Sequence, residues 1–394
     1  MVHRALGQQL DLFHIEEHSS GMVFWHPKGW KLYSVVQNYM KKVHEDHGYL
    51  EVRTPILMSK SLWETSGHWE KFKDNMFVVQ EETDGGIKEM AIKPMSCPNH
   101  IELYDYTNRS YRELPLRYFE FGMVHRNESS GSMHGLMRVR QFTQDDAHIF
   151  CRESQILNET KNYIEMLQNV YKHFGFDNIV VKLSTRPDNH FGSSDVWDKA
   201  ENALSDACKS LDIEYEIQPG EGAFYGPKLE FTMFDKHNRP WQCGTIQCDF
   251  LLPSKERFNL SFTNEEGNDE QPVILHHAVL GSLERWIGIL LEQTEGVFPL
   301  WLAPVQVVIC SLSEKSADYA TEIYNDYKRL GIRVELDINN DTISSKVAIH
   351  STAKVPYIVV VGEREANNAT ISVRKLGEKK SEVISKMDLI HHMK

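Results

Sequence analysis

Apolar residues recur along this chain with two periods, and the changes between them outline its elements. Leu32, Val35, Val36, Tyr39, Met40 and Val43 fall at helical spacing. They predict a helix over 30–48 that Gly48 ends, and residues 4–18 read as a helix before it. Residues 49–55 read as a strand stopped by Pro55. Residues 60–66 form a short helix, and Gly67-His68-Trp69 a loop in which His68 is a polar loop residue. Strands at 76–79 and 89–93 flank the Asp84-Gly85-Gly86 turn. Pro94 and Pro98 then impose an irregular backbone around Cys97, and 99–108 return to helix. Further on, 153–174 form an amphipathic helix ended by Gly175, 179–184 a strand, 195–211 a helix and 241–250 a strand. Residues 272–290 are a strand running into an apolar helix.

The pattern changes beyond the Pro-punctuated stretch Phe298-Pro299-Leu300-Trp301-Leu302-Ala303-Pro304. Strands at 305–310, 333–338, 357–362 and 370–375 alternate with helices at 314–330 and 343–353, and a last helix spans about 382–392. This alternation predicts a mixed α/β domain with a largely parallel sheet. The chain therefore divides into residues 1–302 and 303–394.

The centre of the first region is a pair of aromatic, β-branched stretches at 116–128 and 138–150, joined through Ser129-Ser130-Gly131-Ser132. An antiparallel hairpin with a long loop follows. One face of it carries Arg126, Glu128, Arg138, Gln144, Asp146 and His148. A solvated face with salt bridges is one reading of these groups. The apolar strand ends favour another, because buried charges must be paired or serve a ligand. An Arg beside a Glu at a strand end suits a nucleotide: the guanidinium forks onto phosphate and the carboxylate accepts from an adenine amino group.

Composition narrows the class. Hydrophobic content of 41% and charged content of 25% are those of an ordinary globular chain. No apolar run approaches the roughly 20 residues of a membrane span, and the N-terminus has no signal-peptide core. The net charge of −13 excludes indiscriminate nucleic-acid binding. Residues 303–394, however, hold 13 Lys and Arg against 12 Asp and Glu, so a local RNA contact stays open. Cys97, Cys151, Cys208, Cys243, Cys248 and Cys310 are scattered, which suits a reducing, cytoplasmic setting. Cys243 and Cys248 are five apart and fall on opposite strand faces, so they are not a zinc pair. Read alone, Cys97 is a small buried hydrophobe.

Arg126-Asn127-Glu128, the loop, and Arg140-Gln141-Phe142-Thr143-Gln144-Asp145-Asp146 resemble motif 2 of class II aminoacyl-tRNA synthetases. With Lys93-Pro94-Met95-Ser96-Cys97-Pro98-Asn99-His100, the hairpin is similar to the threonyl-tRNA synthetase family in particular. The helix, strand and Pro55 near the start resemble motif 1, which builds the family's dimer interface. Gly281-Ser282-Leu283-Glu284-Arg285 resembles motif 3, and the C-terminal alternation resembles the anticodon-binding domain shared within the class.

The resemblance implies a class II synthetase antiparallel β-sheet flanked by helices, plus a smaller α/β anticodon-binding domain with a mixed sheet. It implies ATP-dependent ligation of threonine to tRNA(Thr) through threonyl-adenylate, by a homodimer. Arg126 and Arg285 are then the catalytic residues, on the α- and γ-phosphates. Glu128, Arg138, Phe142, Gln242 and Ser282 complete the ATP site, with Mg²⁺ on the phosphates. Gln144, Asp146, Tyr225 and Gln247 are implied to bind threonine. Cys97, His148 and His276 are implied to hold one Zn²⁺ with an open position for the amino and hydroxyl groups of threonine. Lys228, Asn340, Glu365 and Arg374 are implied tRNA contacts. The hydrolytic editing domain that precedes the core in the common bacterial type is not part of these residues, so the product seryl-tRNA is expected not to be cleared. Two other readings stand beside this one: a class II synthetase for another amino acid, and a non-catalytic relative that only binds RNA or a partner.

Overall fold

The computed structural model describes residues 2–393. Its chain falls into two compact units, one of Ile15–Val23 and Gln37–Ile289, the other of Met1–His14, Phe24–Val36 and Leu290–Lys394.

The first unit is built on an eight-stranded sheet. Its order is Tyr215–Gln218, Ile179–Ser184, Lys228–Phe234, Pro240–Asp249, Val273–Ser282, Gln141–Cys151, Leu116–His125 and Leu50–Glu51. The pairing is antiparallel except at the two edges, where Tyr215–Gln218 and Leu50–Glu51 run parallel to their neighbours. The hairpin expected at 116–150 is present, with Glu120 opposite Asp146 and Tyr118 opposite His148. Helices Ile156–His173 and Ser194–Ser210 cover one face, and Cys97–Asp105 packs on the strand Gln141–Cys151. A separate three-stranded sheet of Leu57–Ser59, Phe77–Thr83 and Gly86–Ile92 carries the expected Asp84-Gly85-Gly86 turn.

Pairing sets the faces. Residues opposite one another in a sheet share a face, so Asp146, His148, His276 and Gln247 all point one way, since His148 pairs with His276 and His276 with Gln247. His277 points into the other face. There its Nε2 bonds the Tyr49 hydroxyl at 2.8 Å, and its ring lies parallel to that of His44.

The second unit contains a five-stranded sheet in the order Val334–Asp337, Val307–Ser311, Tyr357–Val361, Thr370–Lys375 and Glu382–Ser385. The first three strands are parallel and the last two antiparallel. Val307, Ile309, Val359, Val361 and Ile371 form its core with Ala320, Ile323 and Tyr327 of helix Ala317–Arg329.

Several elements differ from the sequence expectation; the strand expected over 49–55 is only Leu50–Glu51. Residues 4–18 are not one helix: Val2–Gln9 ends where Asp11 turns left-handed, and Phe13–His14 pairs with Phe24–Trp25. His68 does not lie in an open loop; it starts helix His68–Lys71 and is fully buried. The last helix is shorter, Lys386–Met393, because Val383 and Ile384 pair as a strand with Ile371 and Ser372. Short apolar runs read equally well with either period, and β-branched residues here favour the strand.

Candidate active site

Two adjoining regions occupy the open face of the large sheet. The first is a cleft of about 330 Å³. The hairpin supplies Arg126, Glu128, Arg138, Phe142 and Gln144; the neighbouring strands and the start of helix Leu283–Thr294 supply Gln242, Ser282 and Arg285. All seven residues expected at ATP therefore line one cavity, together with Gln144 from the threonine set. The Arg126 guanidinium lies over the Phe142 ring at 5.2 Å and donates from Nε to the Pro94 carbonyl at 3.2 Å. That bond leaves its other nitrogens for an anion. Glu128 accepts from Arg138 at 2.8–3.0 Å. Arg285 is half-buried, and its Nε has no hydrogen-bond partner.

The second region is enclosed. The ligand atoms of Cys97, His148 and His276 all lie within 4.8 Å of one another, and each residue is buried. The Nε2 of His148 and the Nδ1 of His276 are buried without a hydrogen-bond partner. The second nitrogen of each ring is held: His148 Nδ1 by His100 Nδ1 at 2.7 Å, and His276 Nε2 by Asp249 Oδ2 at 2.8 Å. Asp249 in turn accepts from the backbone N–H groups of Leu251 and Leu252. His100 Nε2 reaches Glu120 at 3.3 Å, and Glu120 is tied to Lys93 and Thr54. Orphaned nitrogens aimed at one point, each backed through its other nitrogen, are the pattern of metal-ligating histidines.

The electrostatics agree. Burial, then the charges of neighbouring histidines, holds His148 well below its usual value, so the ring is neutral and able to ligate. Burial, then Asp146 and Asp249, pushes the Cys97 thiol far up. A divalent cation at this point reverses that shift and yields the thiolate. Three protein ligands suit a zinc ion with one open position.

A second cluster with similar spacing, Cys310, Asp337 and His350 in the C-terminal sheet, is built differently. His350 Nε2 bonds Asp337 at 2.8 Å, and the buried Lys346 ammonium reaches Asp337 Oδ1 at 3.3 Å and the carbonyls of Ser311 and Asp337. A lysine cation already serves these acceptors, and burial pushes the Cys310 thiol up to about 12.

The remaining expected residues are distributed as follows. Tyr225 is buried and lies 5.4 Å ring to ring from His276. Asp146 is buried, accepts from the Ser96 N–H at 3.2 Å and lies 3.8 Å from His148. Gln144 Oε1 is buried without a partner, and Gln247 donates to the Gly226 carbonyl at 3.1 Å. Lys228 pairs with Glu230 at 3.0 Å. Asn340 is exposed just beyond strand Val334–Asp337, and Glu365 caps helix Glu363–Asn368 through the Gly362 N–H. Both follow the C-terminal ends of parallel strands. Arg374 is not at that edge: it pairs with Ile358, near the start of its strand, and donates to the Glu378 carbonyl.

Sequence reasoning missed His100, Asp249, Asp145 and the buried Lys93–Glu120 pair. A signal existed for His100, which sits one helical turn after Cys97. For Lys93 and Glu120 it was the presence of charge inside apolar strands.

An antiparallel sheet bearing an arginine-lined cleft on a motif 2 hairpin defines a class II aminoacyl-tRNA synthetase core. The family model for the tRNA synthetase class II core domain (G, H, P, S and T) matches residues 77–294, and that for the anticodon binding domain matches 306–394. Threonine--tRNA ligases of Gluconobacter oxydans and Rickettsia bellii are 52% and 51% identical to the chain, over 98% and 100% of it. The chain spans about 60% of the length of these curated relatives. Among solved structures, a threonyl-tRNA synthetase RNA binding domain from Cryptosporidium parvum superposes with a TM-score of 0.95 at 40% identity, covering 99% of this chain and 97% of that one. A Giardia lamblia prolyl-tRNA synthetase shares the fold, with a TM-score of 0.75 at 18% identity, over 99% of this chain and 75% of that one. The chain belongs to the threonyl-tRNA synthetase family of class II.

Proposed function

We propose that the protein joins threonine to tRNA(Thr) using ATP, in two steps. The threonine carboxylate attacks the α-phosphorus of ATP, forming the mixed anhydride and releasing pyrophosphate. A ribose hydroxyl at the tRNA 3′ end then attacks the threonyl carbonyl, and AMP leaves. The carboxylate is already a nucleophile, so the first step needs positioning and charge stabilisation rather than a general base. Arg126 holds the α-phosphate, Arg285 the γ-phosphate, and Phe142 and Glu128 the adenine. Arg138, Gln242 and Ser282 complete the nucleotide contacts, with Mg²⁺ on the phosphates. Cys97, His148 and His276 would hold a zinc ion, which would supply Lewis-acid binding for the amino and hydroxyl groups of the amino acid. Asp146 accepts a hydrogen bond from the threonine hydroxyl, with Gln144, Tyr225 and Gln247 closing the pocket. The observation that carries this reading is that all seven residues of the expected nucleotide set line one cavity, while Cys97, His148 and His276 cluster in an enclosed region whose His148 lies on the same strand as Phe142.

Residues 1–302 act as the catalytic part and 303–394 as the anticodon part, with Asn340, Glu365 and Arg374 on the anticodon and Lys228 near the acceptor end. The active form is a cytoplasmic homodimer. Threonine-dependent exchange of pyrophosphate into ATP tests the first step. For the second, Arg374→Ala is expected to lower charging of tRNA(Thr) and leave exchange unchanged. Loss of both activities together would make Arg374 a stability residue, and exchange that depends on another amino acid would overturn the whole reading.

A further inference from the structure

The strands Gln141–Cys151 and Val273–Ser282 pair regularly from Val273 opposite Cys151 to Ala278 opposite Asp146. The next pair is Ser282 with Gln144. Val279, Leu280 and Gly281 therefore stand against a single residue, Asp145. Its carboxylate gathers all three of their N–H groups: Val279 and Leu280 donate to Oδ2 at 2.9 and 2.8 Å, and Gly281 to Oδ1 at 2.8 Å. Asp145 is fully buried. On the carbonyl side, Tyr163 and Tyr171 of the covering helix donate their hydroxyls to Ala278 and Val279, each at 2.9 Å. Gly281 has φ +78°, and a Cβ there would lie 3.1 Å from the Cys243 carbonyl.

This bulge changes which residues meet. Regular pairing continued from Ala278 would set Ser282 opposite Phe142. The bulge sets it opposite Gln144 instead, a shift of two residues, or about 7 Å along a strand. Helix Leu283–Thr294 begins at the next residue, so the same shift sets where Arg285 enters the cleft. The junction is then locked to the hairpin: Glu284 accepts from the Thr143 N–H at 2.9 Å and from Ser282 Oγ at 3.1 Å, and Ser282 Oγ accepts from the Arg285 N–H at 3.2 Å. Bulges beside active sites serve to re-aim side chains in this way.

We propose that Asp145 is a positioning residue for the phosphate end of the cleft: by holding three consecutive N–H groups it fixes the bulge that registers Ser282 and Arg285 against the hairpin. This rests on the nucleotide reading of the cleft given above. An Asn side chain offers one acceptor oxygen and a donor that faces N–H groups, so it cannot hold the same bulge.

The test is threonine-dependent ATP–pyrophosphate exchange, run above the value of about 7 to which burial pushes the Asp145 carboxyl. Asp145→Asn is expected to raise the ATP KM and to lower kcat/KM for ATP by about 100-fold, the scale on which a 1 Å misplacement acts on rate, while the threonine KM stays within about threefold. Asp145→Glu, which keeps the charge, is expected to recover part of the loss. An unchanged ATP KM in Asp145→Asn overturns the proposal, as does a parallel rise of both KM values with a lowered melting temperature. If the Asn variant does not fold, Gly281→Ala strains the same bulge and is expected to give the same ATP-selective defect; an unchanged ATP KM there overturns the proposal. Wild-type protein is the control. No exchange in wild type removes the proposed function itself, whereas normal wild type with a normal variant removes only the role of Asp145.

Discussion

Phe142, Gln144, Asp146 and His148 alternate along one strand and share one face, yet its two ends are built on different terms. At the Phe142 end the cleft is open, and its charged groups are half-buried or exposed: Arg126, Glu128, Arg138 and Arg285. At the His148 end every group is enclosed, and each histidine is fixed through its second nitrogen. On the function proposed above, the difference teaches how one sheet would serve two kinds of ligand. A polyphosphate brings several charges and is met by guanidinium forks that water can still reach. A metal ion needs a few ligands held at fixed geometry, and that requires an outer layer of bonded groups such as Asp249 and His100. Buried charges farther back, Lys93 and Glu120, are retained because they satisfy each other and His100. Hydrogen bonds from His100 and Thr54, with the Lys93 charge, overcome the effect of burial and hold the Glu120 carboxyl down to about 2.

The widest separation of the two ends is expected from substrate analogues. Valine has the shape of threonine without its hydroxyl, so it leaves Asp146 with only its Ser96 N–H donor in an enclosed pocket. Sites of this kind reject such analogues by about 10⁴–10⁵. Serine keeps the hydroxyl and lacks one methyl, which is worth only about 10–200-fold. Amino-acid-dependent exchange kinetics check both ratios. Valine activated within about 200-fold of threonine would mean that the enclosed end does not read the hydroxyl.

The open end is broken next. Arg126→Ala is expected to reduce adenylate formation by about 2.7–4 kcal/mol, the range for a lost transition-state donor. The hairpin should fold as before, because Arg126 lies beyond its last paired residue, His125. Near-normal exchange in this variant would remove Arg126 from the chemistry.

What could be read from the chain follows the same division. The hairpin, the strand-to-helix junction at Arg285 and the alternating C-terminal elements were legible, because long apolar runs carry a clear period and turn residues mark their ends. The open cleft was legible too, since its arginines sit at strand and helix ends within quotable motifs. Cys97, His148 and His276 had no local spacing and came only through the family resemblance. Their backing was invisible: nothing in the sequence ties His100 to Glu120 or Asp249 to His276, since sheet register alone brings them together. His68 was misread because a histidine between Gly67 and Trp69 looks like a turn residue, whereas its ring packs against Trp63 of the preceding helix and against Phe224 and Tyr225 from a distant segment.

Acid acts on a buried histidine beside the enclosed end, and over mildly acidic pH only part of its effect is expressed. Burial lowers His68 to about 3, against about 6.5 in an unfolded chain. The folded state then binds fewer protons than the unfolded one. The stability due to this group is complete above about pH 6.5 and falls as the pH drops toward 3, by up to about 1.4 kcal/mol per pH unit. The difference in melting temperature between the wild type and His68→Gln, measured between neutral and mildly acidic pH, checks this: the wild type should lose more stability on acidification than the variant. An identical acid dependence in both would contradict it.

The account turns on whether the enclosed triad holds a metal ion independently of the open cleft. The direct measurement is metal content per chain in the isolated protein and in Cys97→Ser, His148→Ala and Arg126→Ala. One zinc is expected in the wild type and in Arg126→Ala, and none in the two triad variants. Stoichiometric zinc retained in both triad variants, or zinc-free protein with full threonine-dependent exchange, would contradict it.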